Sequence, residues 1–114
     1  MSLHLPMSEA NRDLFGAERL ACMRLGALLV NTARGGIVNE PDLAHALDQG
    51  RPGRYATDVL ADEPPKPDNP LLGREDVILC PHSAAMTAEG VIRMATRSAR
   101  RCGGARAVGQ VRQV

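Results

Sequence analysis

Polar and apolar residues alternate in Ser2-Leu3-His4-Leu5, the pattern of a short strand, and Pro6 ends it because proline has no amide to give a ladder. Residues 17–25, AERLACMRL, are good helix formers, and Gly26 stands where a left-handed residue would close the helix. Ala27-Leu28-Leu29-Val30-Asn31 is an unbroken apolar run closing on an amide, which suits a strand buried on both faces of a parallel sheet. After Thr32-Ala33-Arg34-Gly35-Gly36 a second helix is signalled. Asn39 is placed to cap it, Pro41 and Asp42 fall in its first turn, and Gly50 stops it. Tyr55 to Leu60 reads as a further strand. The four prolines of residues 62–70, DEPPKPDNP, exclude regular structure there. Asp76 to Cys80 is the last strand candidate, halted by Pro81-His82. Thr87 then caps a helix over about residues 88–101, with Glu89 at its positive end, and Gly103-Gly104 break the pattern.

Strands alternating with helices predict an α/β fold with a parallel sheet. Asn31, Asp58 and His82 then collect at the carboxyl ends of strands, where open α/β sheets bind their ligands. Residues 1–101 are expected to belong to one domain and residues 102–114 to form a basic, disordered tail.

Composition narrows the function classes. The 114 residues, 12.2 kDa, suit one domain, and the 44% hydrophobic content comes mainly from Ala, Leu and Val. With one Phe, one Tyr and no Trp, base stacking can contribute little. No apolar run is long enough to span a bilayer, and the N-terminus has no basic start followed by an apolar stretch, so a cytoplasmic location is expected. Residues 1–89 carry a net charge of −5 and residues 90–114 one of +6, all of it from arginine. Arg93, Arg97, Arg100 and Arg101 follow helical spacing, so a solvated helix face is favoured over a nucleic-acid contact. Cys22, Cys80 and Cys102 are odd in number and far apart, which argues against a disulfide framework or a metal site. Cys80, in an apolar run, is expected to be a small buried hydrophobe.

Three residues suggest chemistry. Arg34 sits between a strand and two glycines, which permit a sharp turn and close approach to a ligand; its guanidinium can hold a carboxylate by two hydrogen bonds. The plainer alternative is an arginine in a tight turn. His82 ends a strand and can act as general acid or base, or as a half-buried structural histidine. Glu63, in Asp62-Glu63-Pro64-Pro65, can hold an imidazole in one tautomer and favour its protonated form, or be solvated surface.

Taken together and in this order, the segments carrying these residues are more specific than any one of them. NTARGGIVNEPDLAHAL (Asn31 to Leu47), DVLADEPP (Asp58 to Pro65), VILCPHSAAMT (Val77 to Thr87) and the opening SLHLP closely resemble the D-isomer-specific 2-hydroxyacid dehydrogenases, over residues 2 to about 99. The resemblance implies a partial Rossmann-like parallel sheet flanked by helices, the C-terminal half of a dinucleotide-binding domain. It implies that Arg34 orients the substrate carboxylate, that His82 exchanges a proton with the 2-oxo oxygen, and that Glu63 pairs with His82. Pro6, Thr32, Ala33, Asp58 and Ala84 are the positions at which it implies contact with NAD or NADP. It further implies a small 2-hydroxy or 2-oxo acid as substrate and a homodimeric, two-domain parent.

The chain also departs from that pattern. A Gly-x-Gly-x-x-Gly loop for the pyrophosphate and the acidic residue that reads the ribose are absent from these 114 residues. The expectation is a fragment, from a truncated gene or a misplaced start, that is inactive alone. RRCGGARAVGQVRQV has glycines and arginines where the family has aliphatic residues, which raises the expectation of a frameshift. Tyr55 replaces a small residue and is expected to crowd the cofactor side.

Overall fold

Four short strands lie side by side, all parallel, in the computed structural model, which describes residues 1–83 and 86–101 (for 99–101, the backbone alone). In chain order the elements are β1 (Ser2–Leu3), α1 (Ala17–Ala21), β2 (Leu28–Asn31), α2 (Glu40–Asp48), β3 (Arg54–Thr57), β4 (Val77–Leu79) and α3 (Ala88–Arg101). The sheet order is β1-β2-β3-β4. Leu3 pairs with Asn31, Asn31 with Thr57, and Thr57 with Leu79, so the carboxyl ends of all four strands open on one edge. This is the parallel α/β arrangement that the alternation predicts. Two compact units divide the chain between His82 and Ser83.

Local chemistry explains the elements. Asn39 Oδ1 accepts the Asp42 amide at 3.0 Å and Pro41 occupies the first turn, so α2 starts where its cap predicts. Leu43, Ala46 and Leu47, spaced for one helix face, are its buried residues. They pack with Leu20 of α1 and with Leu29 and Tyr55 of the sheet in a single apolar cluster. Gly26 takes the left-handed backbone foreseen for it, φ +74°, but α1 stops earlier, at Ala21, with a turn from Cys22 to Gly26 between them. Two 3-10 turns, Glu9–Asn11 and Gly35–Ile37, carry no periodic signal and were not foreseen.

Three expectations are corrected. β2 is buried on one face only: Leu29 and Asn31 are fully buried, while Leu28 is 47% exposed, because α2 and α1 pack with the face that also carries Tyr55. On the opposite face Leu28 and Ile78 are exposed and Val30 is half-buried. Cys80 lies at the sheet's carboxyl edge, past β4, and is exposed. Tyr55 is 2% exposed in the apolar cluster, where burial pushes its phenol up and bonds to Thr57 and Asn31 pull it back, so its bulk goes into the core and not toward the cofactor side.

In the second unit, Thr87 Oγ1 accepts the Gly90 amide at 3.0 Å at the start of α3. Arg93 and Arg97 are exposed. The tail expected over residues 102–114, and Ala84, lie outside the described residues. Among those residues no helix is long and apolar enough to cross a membrane, and no group of three or more His, Cys, Asp or Glu is placed to hold a metal ion.

Candidate active site

The site grows from the carboxyl end of β2. Asn31, fully buried, accepts the Ala33 amide on Oδ1 at 3.1 Å and donates from Nδ2 to the Arg34 carbonyl at 2.9 Å. Its side chain thus pins the turn that follows the strand end at the Ala33 amide and the Arg34 carbonyl. Thr57, at the same level of β3, places Oγ1 2.7 Å from the carbonyl oxygens of both Asn31 and Val59 and accepts the Val59 amide at 3.1 Å. The two strand ends are stitched together by this buried hydroxyl.

Arg34 then stands at the start of the Gly35–Ile37 turn, its Nη1 donating to the Ala33 carbonyl at 2.6 Å. Gly35 is required, but for a reason different from the one read in the sequence. A methyl there would lie 1.9 Å from the Leu60 carbonyl carbon and 2.4 Å from the Ala61 nitrogen. The glycine lets the loop after β3, which carries Glu63, press against the Arg34 turn.

That loop is held by side chains. Glu40, at the start of α2, accepts the Ala61 amide on Oε1 and the Asn69 side-chain amide on Oε2, both at 2.7 Å. Glu63 Oε1 accepts the Leu60 amide at 3.1 Å, and its Oε2 lies 3.2 Å from His82 Nδ1. The His82 contact first, and the Leu60 amide second, hold the Glu63 carboxyl below its ordinary value. Arg34 adds a smaller Coulombic contribution in the same direction, which places its charge near the pair. With Nδ1 directed at Glu63, Nε2 is the ring nitrogen left to meet a ligand.

Two cavities flank the pair. One, of about 500 Å³, is lined by Arg34, Glu63 and His82 together with Arg12, Met7 and Gly36. The other, of about 410 Å³, is lined by Asp58, Glu63 and His82 together with Thr57, Cys80 and Leu72. Asp58 lines this second cavity, and its Oδ1 is buried with no hydrogen-bond partner among the described residues.

Arg34, Glu63, His82 and Asp58, from three separate segments, are thus brought together. Pro6, Thr32 and Ala33 line neither cavity; Thr32 and Pro6 are exposed and Ala33 is buried. Arg12, Met7 and Glu40 escaped the sequence reading. Glu40 sits beside a recognisable cap, but nothing in the spacing says that its carboxylate reaches past the helix to another loop. Arg12 lies in a segment without periodicity.

The description "D-isomer specific 2-hydroxyacid dehydrogenase, NAD binding domain" fits residues 1–84 of the chain. A glyoxylate reductase from Aeropyrum pernix is 41% identical over 99 residues, which are 87% of this chain and 30% of that protein. Among solved structures, a Granulicella M. formate dehydrogenase superposes with a TM-score of 0.79 at 35% identity, over 89% of this chain and 27% of the other. A D-isomer specific 2-hydroxyacid dehydrogenase from Xanthobacter autotrophicus Py2, solved with NADPH and MES, does so with a TM-score of 0.74 at 32% identity, over 90% of this chain and 43% of the other. The chain spans less than a third of the length of the curated relatives it matches. On the match over residues 1–84, the chain belongs to the D-isomer specific 2-hydroxyacid dehydrogenases, in the part that forms their NAD binding domain.

Proposed function

We propose that these residues carry out hydride transfer between a nicotinamide cofactor, NAD or NADP, and a small 2-hydroxy or 2-oxo acid, within a dimeric cytoplasmic dehydrogenase. The observation that carries this reading is the meeting of Arg34, Glu63 and His82 on one cavity, with Glu63 on His82 Nδ1. Arg34 pairs with the substrate carboxylate and fixes the orientation of C2. His82 gives a proton from Nε2 to the 2-oxo oxygen in the reducing direction and takes it from the 2-hydroxyl in the oxidising direction. Glu63 holds the ring by Nδ1 and fixes its orientation. The unpartnered Asp58 Oδ1 suits the donor that the cofactor's carboxamide offers, and Thr32, Ala33, Pro6 and Ala84 are assigned to the remaining cofactor contacts. The chemistry a bound nicotinamide supplies is the hydride given to, or taken from, C2 of the acid.

The test is consumption of reduced cofactor with glyoxylate or hydroxypyruvate. Arg34→Ala or His82→Ala is expected to lower the rate by about a hundredfold or more. A rate unchanged by both substitutions overturns the assignment. A second reading is an inactive half-domain serving as an interaction module. Binding of oxamate through Arg34 without any turnover would select it.

A further inference from the structure

The cavity shared by Arg34, Glu63 and His82 holds a second cation that the mechanism above leaves without a task. Arg12 lines the same walls. Its position is set by backbone, not by chance. The Asp13 amide donates to the Gly36 carbonyl at 2.9 Å and the Phe15 amide to the Ile37 carbonyl at 3.0 Å. Asn39 Nδ2 donates to Asp13 Oδ1 at 3.3 Å. The segment that carries Arg12 is therefore bonded directly to the turn that carries Arg34, and both guanidinium groups start from one anchored platform.

Arg12 has a partner, Glu9, with Nη2–Oε1 at 3.0 Å and Nε–Oε2 at 3.4 Å. The side chains are 55% and 88% exposed, so water screens the pair and it holds weakly. Glu9 does not line the cavity. The carboxylate that does, Glu63, is already engaged by His82 and by the Leu60 amide. A substrate with one carboxylate satisfies Arg34 and leaves Arg12, on the same walls, held only by this screened pair.

We propose that the acid bound here carries a second anionic group at the end away from C2, a phosphate, a sulfonate or another carboxylate, and that Arg12 receives it by exchanging Glu9 for the ligand. A guanidinium matches the paired oxygens of any of these groups, so Arg12 sets the substrate class while Arg34 and His82 set the reaction. The inference rests on the reading of Arg34 as the carboxylate holder.

The test is titration of the full ¹⁵N-labelled chain, followed by amide shifts, with D-lactate, D-malate, D-3-phosphoglycerate and 3-sulfolactate in turn. At least one doubly anionic acid is expected to bind about tenfold or more tightly than D-lactate, and the preference to shrink to about twofold in Arg12→Gln. Arg12→Lys, which keeps the charge, is expected to retain most of it, and Glu9→Gln to increase it by removing the competitor. The three doubly anionic ligands distinguish the sources of the second charge. Equal binding of all four acids, or a preference that survives Arg12→Gln, overturns this inference and leaves the Arg34 reading standing. Failure of every acid to bind a chain whose spectrum shows it folded overturns both.

Discussion

Arg34 leaves a strand end pinned by a fully buried Asn31, which bonds the Ala33 amide and the Arg34 carbonyl. Glu63 and His82, by contrast, meet across two loops with side chains 44% and 49% exposed, and their link is one 3.2 Å contact. The first half of the site is placed by packing and by hydrogen bonds of a buried side chain. The second is placed by carboxylates, Glu40 holding the loop and Glu63 holding the ring. Arg34 is thus positioned by groups that do not titrate, while the Glu63–His82 pair is positioned by groups that do. The two halves should therefore fail under different perturbations.

The seam between them is the most sensitive point. Gly35→Ala forces a methyl onto the Leu60–Ala61 backbone, and backbone, unlike a flexible side chain, has nowhere to retreat. We expect a loss of ~3 kcal/mol in urea unfolding, at the upper end for overpacking, with both halves displaced together. A variant as stable as the parent would mean that the loop is not pressed on the turn.

Asn31→Ala attacks the Arg34 half alone. It removes the bonds to the Ala33 amide and the Arg34 carbonyl and orphans the buried Ala33 amide, for an expected loss of ~2 kcal/mol. The Glu63–His82 contact should survive, seen as an unchanged His82 ring environment in NMR. Glu40→Ala is the mirror experiment. It releases Ala61 and Asn69 and should destabilise by ~1.5 kcal/mol. Hydrogen exchange of the Ala61 amide should speed up while that of Ala33 does not change. If Ala33 speeds up equally, the two halves are one cooperative unit and the distinction between them is wrong.

What could be read from the sequence follows the range of the forces involved. The α2 boundaries were legible because Asn39, Pro41 and Gly50 act on their own backbone within a turn or two. The parallel sheet followed from alternation, and the candidate site from the resemblance of three segments. What escaped was contact across the chain. Gly35 looked like freedom for a ligand to approach, but the neighbour that approaches is Leu60, from the next strand's loop. β2 looked buried on both faces because Leu28 and Val30 are as apolar as Leu29; which face receives helices depends on where α1 and α2 pack, and the run itself holds no record of that. Cys80 misled in the same way, since an apolar neighbourhood in sequence became an exposed sheet edge in space.

The smallest expected effect separates the halves most cleanly, because only one of them titrates. The charged form of Glu63 is stabilised by His82 and by the Leu60 amide, so its folded pKa lies below the ordinary 4.5. A carboxyl lowered on folding contributes stability that is fully present above its unfolded value and is lost as pH falls through the folded one. The Glu63–His82 contact should accordingly hold at neutral pH and begin to loosen only below about 4.5, with His82 released as Glu63 takes up its proton. A ¹³C titration of the Glu63 carboxyl checks the direction: a midpoint at or above 4.5 would remove the interaction from the site. Glu63→Gln should flatten this acid limb, and by little, because both side chains face water. Over the same range Asn31 keeps its bonds, so acid should disengage the Glu63–His82 pair while the Arg34 turn stays in place.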